Sequence, residues 1–174
     1  MKKKNTDIII NQKTHYVVCK KMHEVLIGTL LGDGNLTSGP KREFWFYRAL
    51  YSVNAKEYLF HKYDIFQECC SSRPAEQDFE GDKHSRGKKS KRWYFNTIRL
   101  GIFKFYGDLF YTRNLIDGTW EKIVPITIEE YLSPTAIAYW FIDDGSQKKK
   151  EHTTAVRIAT SGFIENDCLI LQQV

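Results

Sequence analysis

Little in this 174-residue sequence suggests a disulfide framework, a zinc site or a membrane segment. None of its four cysteines belongs to a Cys-x-x-Cys pair, so the spacing of structural zinc sites and of small disulfide-bonded domains is missing. The apolar run at residues 8–10 is far too short for a signal peptide or a membrane span. We therefore expect a reducing compartment and no membrane partner.

Two common catalytic arrangements are also missing. The five histidines are scattered, with no recognisable spacing to a serine or cysteine nucleophile. The segment Gly32-Asp33-Gly34 closes a helical stretch, whereas the glycine motif of a dinucleotide-binding fold opens a helix. The sequence thus indicates neither a nucleophile triad nor a phosphate-binding glycine loop.

Charge and length leave room for a polyanionic partner without requiring one. Lys and Arg outnumber Asp and Glu by 26 to 21, and aromatic residues make up 14% of the chain. A chain of this size can bury one core or two small subdomains that share a seam. We expect one compact unit of two parts.

Hydrophobic periodicity predicts helices that alternate with aromatic-rich strands. The expected elements are a helix at 19–31, a strand near residue 36 paired with a strand at 43–51, a helix from residue 54, an exposed loop at 71–91, a strand at 93–100, a helix at 102–110, a helix at 136–142, a strand at 156–160 and a helix at 164–174. Asn54 and Glu57 have the spacing of a capping box, and Ser133-Pro134 suits a helix start.

An internal repeat links residues 26–34 with residues 137–145. Both segments are apolar helices that end in an acid and a glycine, which aligns Asp33 with Asp144. Such a repeat predicts two similar subdomains whose helices pack about a pseudo-twofold axis. Either Asp-Gly step alone is more simply a turn, and the pair is what favours a shared site.

The sequence also indicates how closely these two helices approach each other. Gly28 and Gly32 lie four residues apart on one helix face, which allows close backbone approach. A carboxylate at a helix C-terminus faces the negative end of the helix dipole. Two such acids side by side, Asp33 and Asp144, therefore require a cation.

These segments resemble the paired motifs of monomeric LAGLIDADG homing endonucleases, especially the branch whose second motif is similar to residues 138–145. Residues 122–134, 56–59 and 94–97 add to the resemblance, which covers most of residues 25–163. It implies an α+β fold of αββαββα subdomains, with a saddle-shaped antiparallel sheet on DNA and a central two-helix interface. The implied activity is magnesium-dependent, site-specific cleavage of double-stranded DNA.

The resemblance also implies the site residues. Asp33 and Asp144 are the expected catalytic, metal-binding acids, and Gly32 and Asp143 are neighbouring metal-binding positions. Asp143 aligns with Gly32, so Asp144 is the preferred acid of the second motif. Lys122 matches the basic residue at the edge of the active site, and a solvent-facing linker lysine is the alternative.

Polar side chains at alternate strand positions can reach base edges in the major groove. A basic loop can bind phosphates, although a solvated surface is an equal alternative for its lysines. The expected DNA contacts are Asn35, Lys41, Arg42, Arg48, Lys88, Lys89, Arg92 and Asn96.

The predicted organisation is an N-terminal tail (1–18), a first subdomain (19–117), a linker (118–133) and the start of a second subdomain (134–174). Far fewer residues follow Asp144 than separate Asp33 from Lys122, so the second subdomain is expected to be incomplete. Truncation, a decaying reading frame and completion by another polypeptide are the explanations. With both halves present, a pseudo-twofold monomer is expected.

Two other functions use the same fold. One is an intron maturase that binds intron RNA, and the other is an inactive remnant that binds nucleic acid weakly. Intron-encoded relatives imply an organelle, most often the mitochondrion, with the chloroplast or bacterial cytoplasm as alternatives.

Overall fold

The computed structural model describes residues 7–11, 16–38, 44–81, 87, 89–147 and 155–174. The helices are α1 (Lys20–Leu31), α2 (Lys56–Phe66), α3 (Ile102–Phe110), α4 (Pro134–Asp144) and α5 (Glu165–Leu171). The strands are β1 (Asp7–Asn11), β2 (Tyr16–Cys19), β3 (Asn35–Ser38), β4 (Trp45–Ser52), β5 (Ala75–Phe79), β6 (Ser90–Asn96), β7 (Tyr111–Arg113), β8 (Trp120–Lys122), β9 (Gly145–Gln147) and β10 (Val156–Ile158). Within these ranges no helix is long and apolar enough to cross a bilayer.

The first half has the order α1-β3-β4-α2-β5-β6-α3, which is the αββαββα order that the family resemblance implies. Its four strands form one antiparallel sheet in the order β3-β4-β6-β5. Arg48 of β4 lies opposite Asn35 of β3 on one side and Asn96 of β6 on the other. The predicted α+β architecture is confirmed.

The core fills the space between one face of this sheet and the helices. Along β4 the buried residues are Trp45, Tyr47, Ala49 and Tyr51, and the residues between them are more open. This alternation is what a strand shows when only one face is packed. Tyr47 stacks on Phe66 of α2 with ring centroids 4.9 Å apart, which ties the helix to the sheet.

Three local features differ from expectation. The predicted loop at 71–91 contains the strand β5, whose polar sequence is typical of a sheet edge. The predicted capping box is wrong, because Asn54 lies in a 3-10 turn and α2 starts after Ala55 without a side-chain cap. The segment expected to be a tail contains the hairpin of β1 and β2.

The second half has the order α4-β9-β10-α5. The predicted helix, strand and helix are present as α4, β10 and α5, and β9 is a strand that was not predicted. Arg157 of β10 lies opposite Ser146 of β9 in a short antiparallel pair. Helix α4 starts where expected: the Ser133 hydroxyl accepts a hydrogen bond of 3.1 Å from the Ala136 N–H, and Pro134 occupies the first turn.

We expect Ser133→Ala to lower the free energy of unfolding by about 1 kcal/mol. The substitution removes the hydroxyl that accepts a hydrogen bond from the Ala136 N–H, a group in the first turn that has no partner within the helix. Urea denaturation followed by circular dichroism measures the effect. Ser161→Ala, at an exposed serine in a turn, is the matched control and should change stability little. Equal stability of the two variants would contradict the capping role.

Candidate active site

The seam between α1 and α4 brings two backbones into contact. A Cβ atom built on Gly28 would lie 2.1 Å from the Ala136 carbonyl oxygen and 2.9 Å from the Tyr139 Cβ. A Cβ on Gly32 would lie 2.6 Å from the Asp143 Cβ. Residue numbers rise together along the two helices, so the helices run in parallel and end side by side.

The two predicted acids stand at these neighbouring helix ends. Asp33 follows α1 and is exposed, and Asp144 is the last residue of α4 and is half-buried. Burial, and after it the negative charges of Asp33 and Asp143, raise the pKa of Asp144 to about 6. The helix ends therefore hold a concentration of negative charge.

Lys122 reaches the first acid from the hairpin of β7 and β8. Its ammonium donates hydrogen bonds of 2.8 Å to the Gly32 carbonyl and 3.0 Å to the Gly34 carbonyl, on either side of Asp33. Burial lowers the pKa of Lys122, and the charges of Asp144, Asp33 and Asp143 oppose that change. This placement differs from that of a solvent-facing linker lysine.

Asp143 turns away from the exposed helix ends and into the first half. Its Oδ1 accepts a hydrogen bond of 2.8 Å from the Tyr51 hydroxyl, and its Oδ2 lies 3.7 Å from the Lys62 ammonium. Burial lowers the pKa of Lys62 to about 8, although the Asp143 charge acts in the opposite sense. Burial raises the pKa of Asp143, and the positive charge of Lys62 acts to lower that pKa.

Lys62 and Tyr51 were not predicted from the sequence. A signal was present, because Lys62 lies three residues after Leu59 and four before Phe66, on the apolar stripe of α2. A lysine in such a stripe is expected to be paired when it is buried.

The sheet face opposite the core carries four of the predicted DNA contacts. Arg48 lies opposite Asn35 and Asn96, and Arg92 lies opposite Ser52, four residues further along β4. Directly opposed residues share a face, and so do residues two apart on one strand. Asn35, Arg48, Arg92 and Asn96 therefore point to one side of the sheet.

Both arginines on this face, Arg48 and Arg92, are held by contacts within the sheet. Arg48 donates a hydrogen bond of 3.2 Å to the Gln77 side-chain oxygen, and its guanidinium lies 5.4 Å from the Tyr94 ring centroid. The Arg92 guanidinium lies 3.4 Å from the Phe79 ring centroid. Ordered guanidinium groups lose less freedom when they bind a ligand.

Of the other four predicted contacts, the structure describes Lys89. Lys41, Arg42 and Lys88 lie outside the described residues. Lys89 forms an exposed ion pair of 2.7 Å with Glu80, so part of its charge is already balanced. Among the four residues on the open face, Asn35 is also held in place, because its side-chain oxygen accepts a hydrogen bond of 2.7 Å from the Tyr111 hydroxyl.

The donor atoms at the helix ends suit a hard divalent cation. In the described part of the chain, no three or more His, Cys, Asp and Glu side chains are grouped so as to hold a metal. Magnesium keeps several waters and binds through one or two carboxylates and substrate phosphates. Asp33 and Asp144 therefore fit a magnesium ion that is completed by water and by a nucleic-acid backbone.

An αββαββα unit whose first helix packs in parallel against the first helix of a second unit, with an acid at each helix end, is the architecture that the resemblance to LAGLIDADG homing endonucleases implies. The chain belongs to the LAGLIDADG DNA endonuclease family, whose model matches residues 23–174. The predicted fold and the predicted enzyme class, a site-specific DNA endonuclease, are confirmed. Enzymes of this family use divalent metal ions.

Individual relatives agree with this assignment. The DNA endonuclease I-ChuI of Chlamydomonas applanata is 35% identical over 154 residues, covering 88% of this chain and 71% of the relative. The cytochrome b mRNA maturase bI2 of Saccharomyces cerevisiae is 26% identical over 129 residues, covering 72% of this chain and 30% of the relative. The structure of the homing endonuclease I-WcaI bound to its DNA recognition sequence has a TM-score of 0.74, with 24% identity over 91% of this chain and 68% of that one.

Proposed function

We propose that Asp33 and Asp144 bind Mg²⁺ against a DNA duplex and that the enzyme hydrolyses one phosphodiester bond in each strand of a long target site. The observation that carries this proposal is the parallel packing of α1 and α4, which places the two acids at adjacent helix ends. The raised pKa of Asp144 supports it, because carboxylates that repel one another favour a bound cation.

Each residue has a distinct part in this mechanism. Bound Mg²⁺ supplies an activated water and positive charge for the leaving oxygen. The Asp33 and Asp144 carboxylates bind and orient the ion at the end of each motif helix. Lys122 holds the carbonyls on both sides of Asp33 and adds positive charge beside the phosphate.

The open sheet face supplies the DNA contacts in this proposal. Arg48, Arg92, Asn96 and Asn35 share that face, and an antiparallel ribbon fits the major groove of B-form DNA. Guanidinium groups suit guanine, and side-chain amides suit adenine. The proposal makes the target duplex the main partner.

The proposal extends to assembly and location. One chain provides both acids, which supports a pseudo-twofold monomer. Similarity to intron-encoded proteins, including maturases of cytochrome b mRNA, supports an organelle and favours the mitochondrion. Light scattering in solution and immunolocalisation test these two points.

A maturase function is the second candidate, favoured by the similarity to two cytochrome b mRNA maturases. It predicts help in splicing of the host intron that survives loss of the metal-binding acids. DNA cleavage should be lost when those acids are replaced. One set of variants at Asp33 and Asp144 therefore distinguishes the two functions.

The direct test is cleavage of the intronless form of the host gene around the insertion junction. We expect cutting of both strands with Mg²⁺ and none with EDTA, and Ca²⁺ should support binding without rapid cutting. A protein that binds the junction but never cuts it with Mg²⁺ or Mn²⁺ would contradict the proposal. Splicing help under the same conditions would then support the maturase function.

We expect Arg48→Ala to weaken binding of the target duplex by about 10- to 100-fold, because one bidentate base contact is worth about 1–3 kcal/mol. Fluorescence anisotropy at several salt concentrations measures the effect. Lys104→Ala is the matched control, since it removes one positive charge from the outer helix α3. Equal losses in the two variants would show a general effect of charge.

A further inference from the structure

The positively charged side chain of Lys62 is buried next to α4. The side chain of Lys62 has no exposed surface, and its ammonium lies 4.6 Å from the Tyr51 ring centroid and 4.7 Å from the Tyr58 ring centroid. Buried charges in proteins are normally paired. The opposite charge here is the Asp143 carboxylate, which is also fully buried.

The contacts join three elements into one chain of polar groups. Lys62 of α2 donates a hydrogen bond to the hydroxyl of Tyr51 at the end of β4. That hydroxyl donates to the Asp143 carboxylate of α4 over 2.8 Å. A side chain from the second half is thus held by two residues from the first half.

The space for Asp143 depends on Gly32. A Cβ at position 32 would lie 2.6 Å from the Asp143 Cβ and 2.9 Å from its Oδ2. The two positions are equivalents in the internal repeat, yet one has no side chain and the other has a buried acid. The two halves therefore fix their metal-binding ends in different ways.

In the first half, Lys122 holds the Gly32 and Gly34 carbonyls around Asp33. In the second half, Tyr51 and Lys62 hold Asp143, the residue that precedes Asp144. Asp143 and Asp144 are consecutive residues in the last turn of α4, so restraint of one side chain limits movement of the other.

We propose that Lys62 and Tyr51 are positioning residues for the second metal-binding acid: by holding the Asp143 carboxylate they fix the end of α4 and aim Asp144. This inference rests on the proposed function of Asp144 as a metal ligand. The competing account is that Lys62 only neutralises a buried acid.

The double variant Lys62→Met with Asp143→Ala separates these accounts, because it removes both charges and the tether. Lys62→Met alone should lower the melting temperature, since it leaves Asp143 buried without its cation. The double variant should regain most of the melting temperature but bind Mn²⁺ about 10- to 100-fold more weakly, the usual effect of losing an outer-shell partner. Mn²⁺ binding is titrated by electron paramagnetic resonance, with the protein alone and on its target duplex.

Two further variants keep the test decisive if the double variant fails to fold. Tyr51→Phe preserves the ring and both charges and removes the bridging hydroxyl, and it should weaken Mn²⁺ binding about tenfold. Lys56→Met makes the same charge change on the exposed side of α2 and should bind like the wild type. Wild-type Mn²⁺ affinity in Tyr51→Phe and in any folded double variant would overturn the proposal.

Asp144→Asn distinguishes this inference from the proposed function. If Asp144→Asn binds Mn²⁺ as tightly as the wild type, the acid is no ligand and the proposed function fails at its site. If Asp144→Asn loses binding while Tyr51→Phe and the double variant keep it, only the role of Lys62 and Tyr51 fails.

Discussion

Asp144→Asn is expected to lower the rate of DNA cleavage by more than about a hundredfold, since even outer-shell partners of a metal are worth about 10- to 100-fold. Asn keeps the size of the side chain but loses the charge that binds a hard cation. Asp33→Asn should have a similar effect from the other helix end. Single-turnover cleavage of both strands at saturating Mg²⁺ measures the losses.

Loss of activity should come without loss of stability. The pKa of Asp144 is raised to about 6, so the folded state favours the protonated acid and the ionised acid destabilises it at neutral pH. Asp144→Asn is therefore expected to raise the melting temperature at neutral pH. This gain should shrink as the pH falls through about 6, where the wild-type acid takes up its proton.

Asp108→Asn serves as the control for these variants, because it alters an exposed carboxylate on the outer helix α3. It should cut DNA at the wild-type rate. Near-normal cleavage by both Asp33→Asn and Asp144→Asn would contradict the proposed site. Retained DNA binding in all three variants would confirm that only the chemistry has changed.

Gly28→Ala is expected to lower the free energy of unfolding by about 3 kcal/mol, the upper end for an overpacked core. The added methyl group would lie 2.1 Å from the Ala136 carbonyl oxygen, a backbone atom that moves only if α4 moves. The higher helix propensity of alanine offsets about 1 kcal/mol, so the clash dominates. Urea denaturation and cleavage assays should both show the effect, since parting the helices also parts the acids.

Gly162→Ala is the matched control, because a Cβ there meets no atom within 4 Å. Its stability should stay within about 0.5 kcal/mol of the wild type. If Gly28→Ala proves as stable as Gly162→Ala, the two motif helices do not pack backbone to backbone.

Two helix boundaries followed from local signals in the sequence, the end of α1 and the start of α4. Gly32 ends α1, and Ser133 with Pro134 starts α4, because capping depends on neighbouring residues only. The pairing of Asp33 with Asp144 followed from the repeat, because similar segments adopt similar positions. These features needed no knowledge of distant contacts.

Other features depend on contacts that a sequence does not display. The face of Arg48 is set by its register with Asn35 and Asn96, two residues of partner strands that lie elsewhere in the sequence. The edge strand β5 was missed because its side chains are polar and partly exposed. Lys62 was missed because its burial is tolerated only with Asp143, a residue of the other half.

The unlike residues at positions 32 and 143 also restrict which helices can associate. Two copies of α1 would face each other with glycine against glycine and leave a void. Two copies of α4 would bring two buried carboxylates together, and like charges in a dry interface repel strongly. Helix α1 therefore packs better against α4 than against a second α1, and α4 better against α1 than against a second α4, so the sequence disfavours dimers that pair two copies of the same helix.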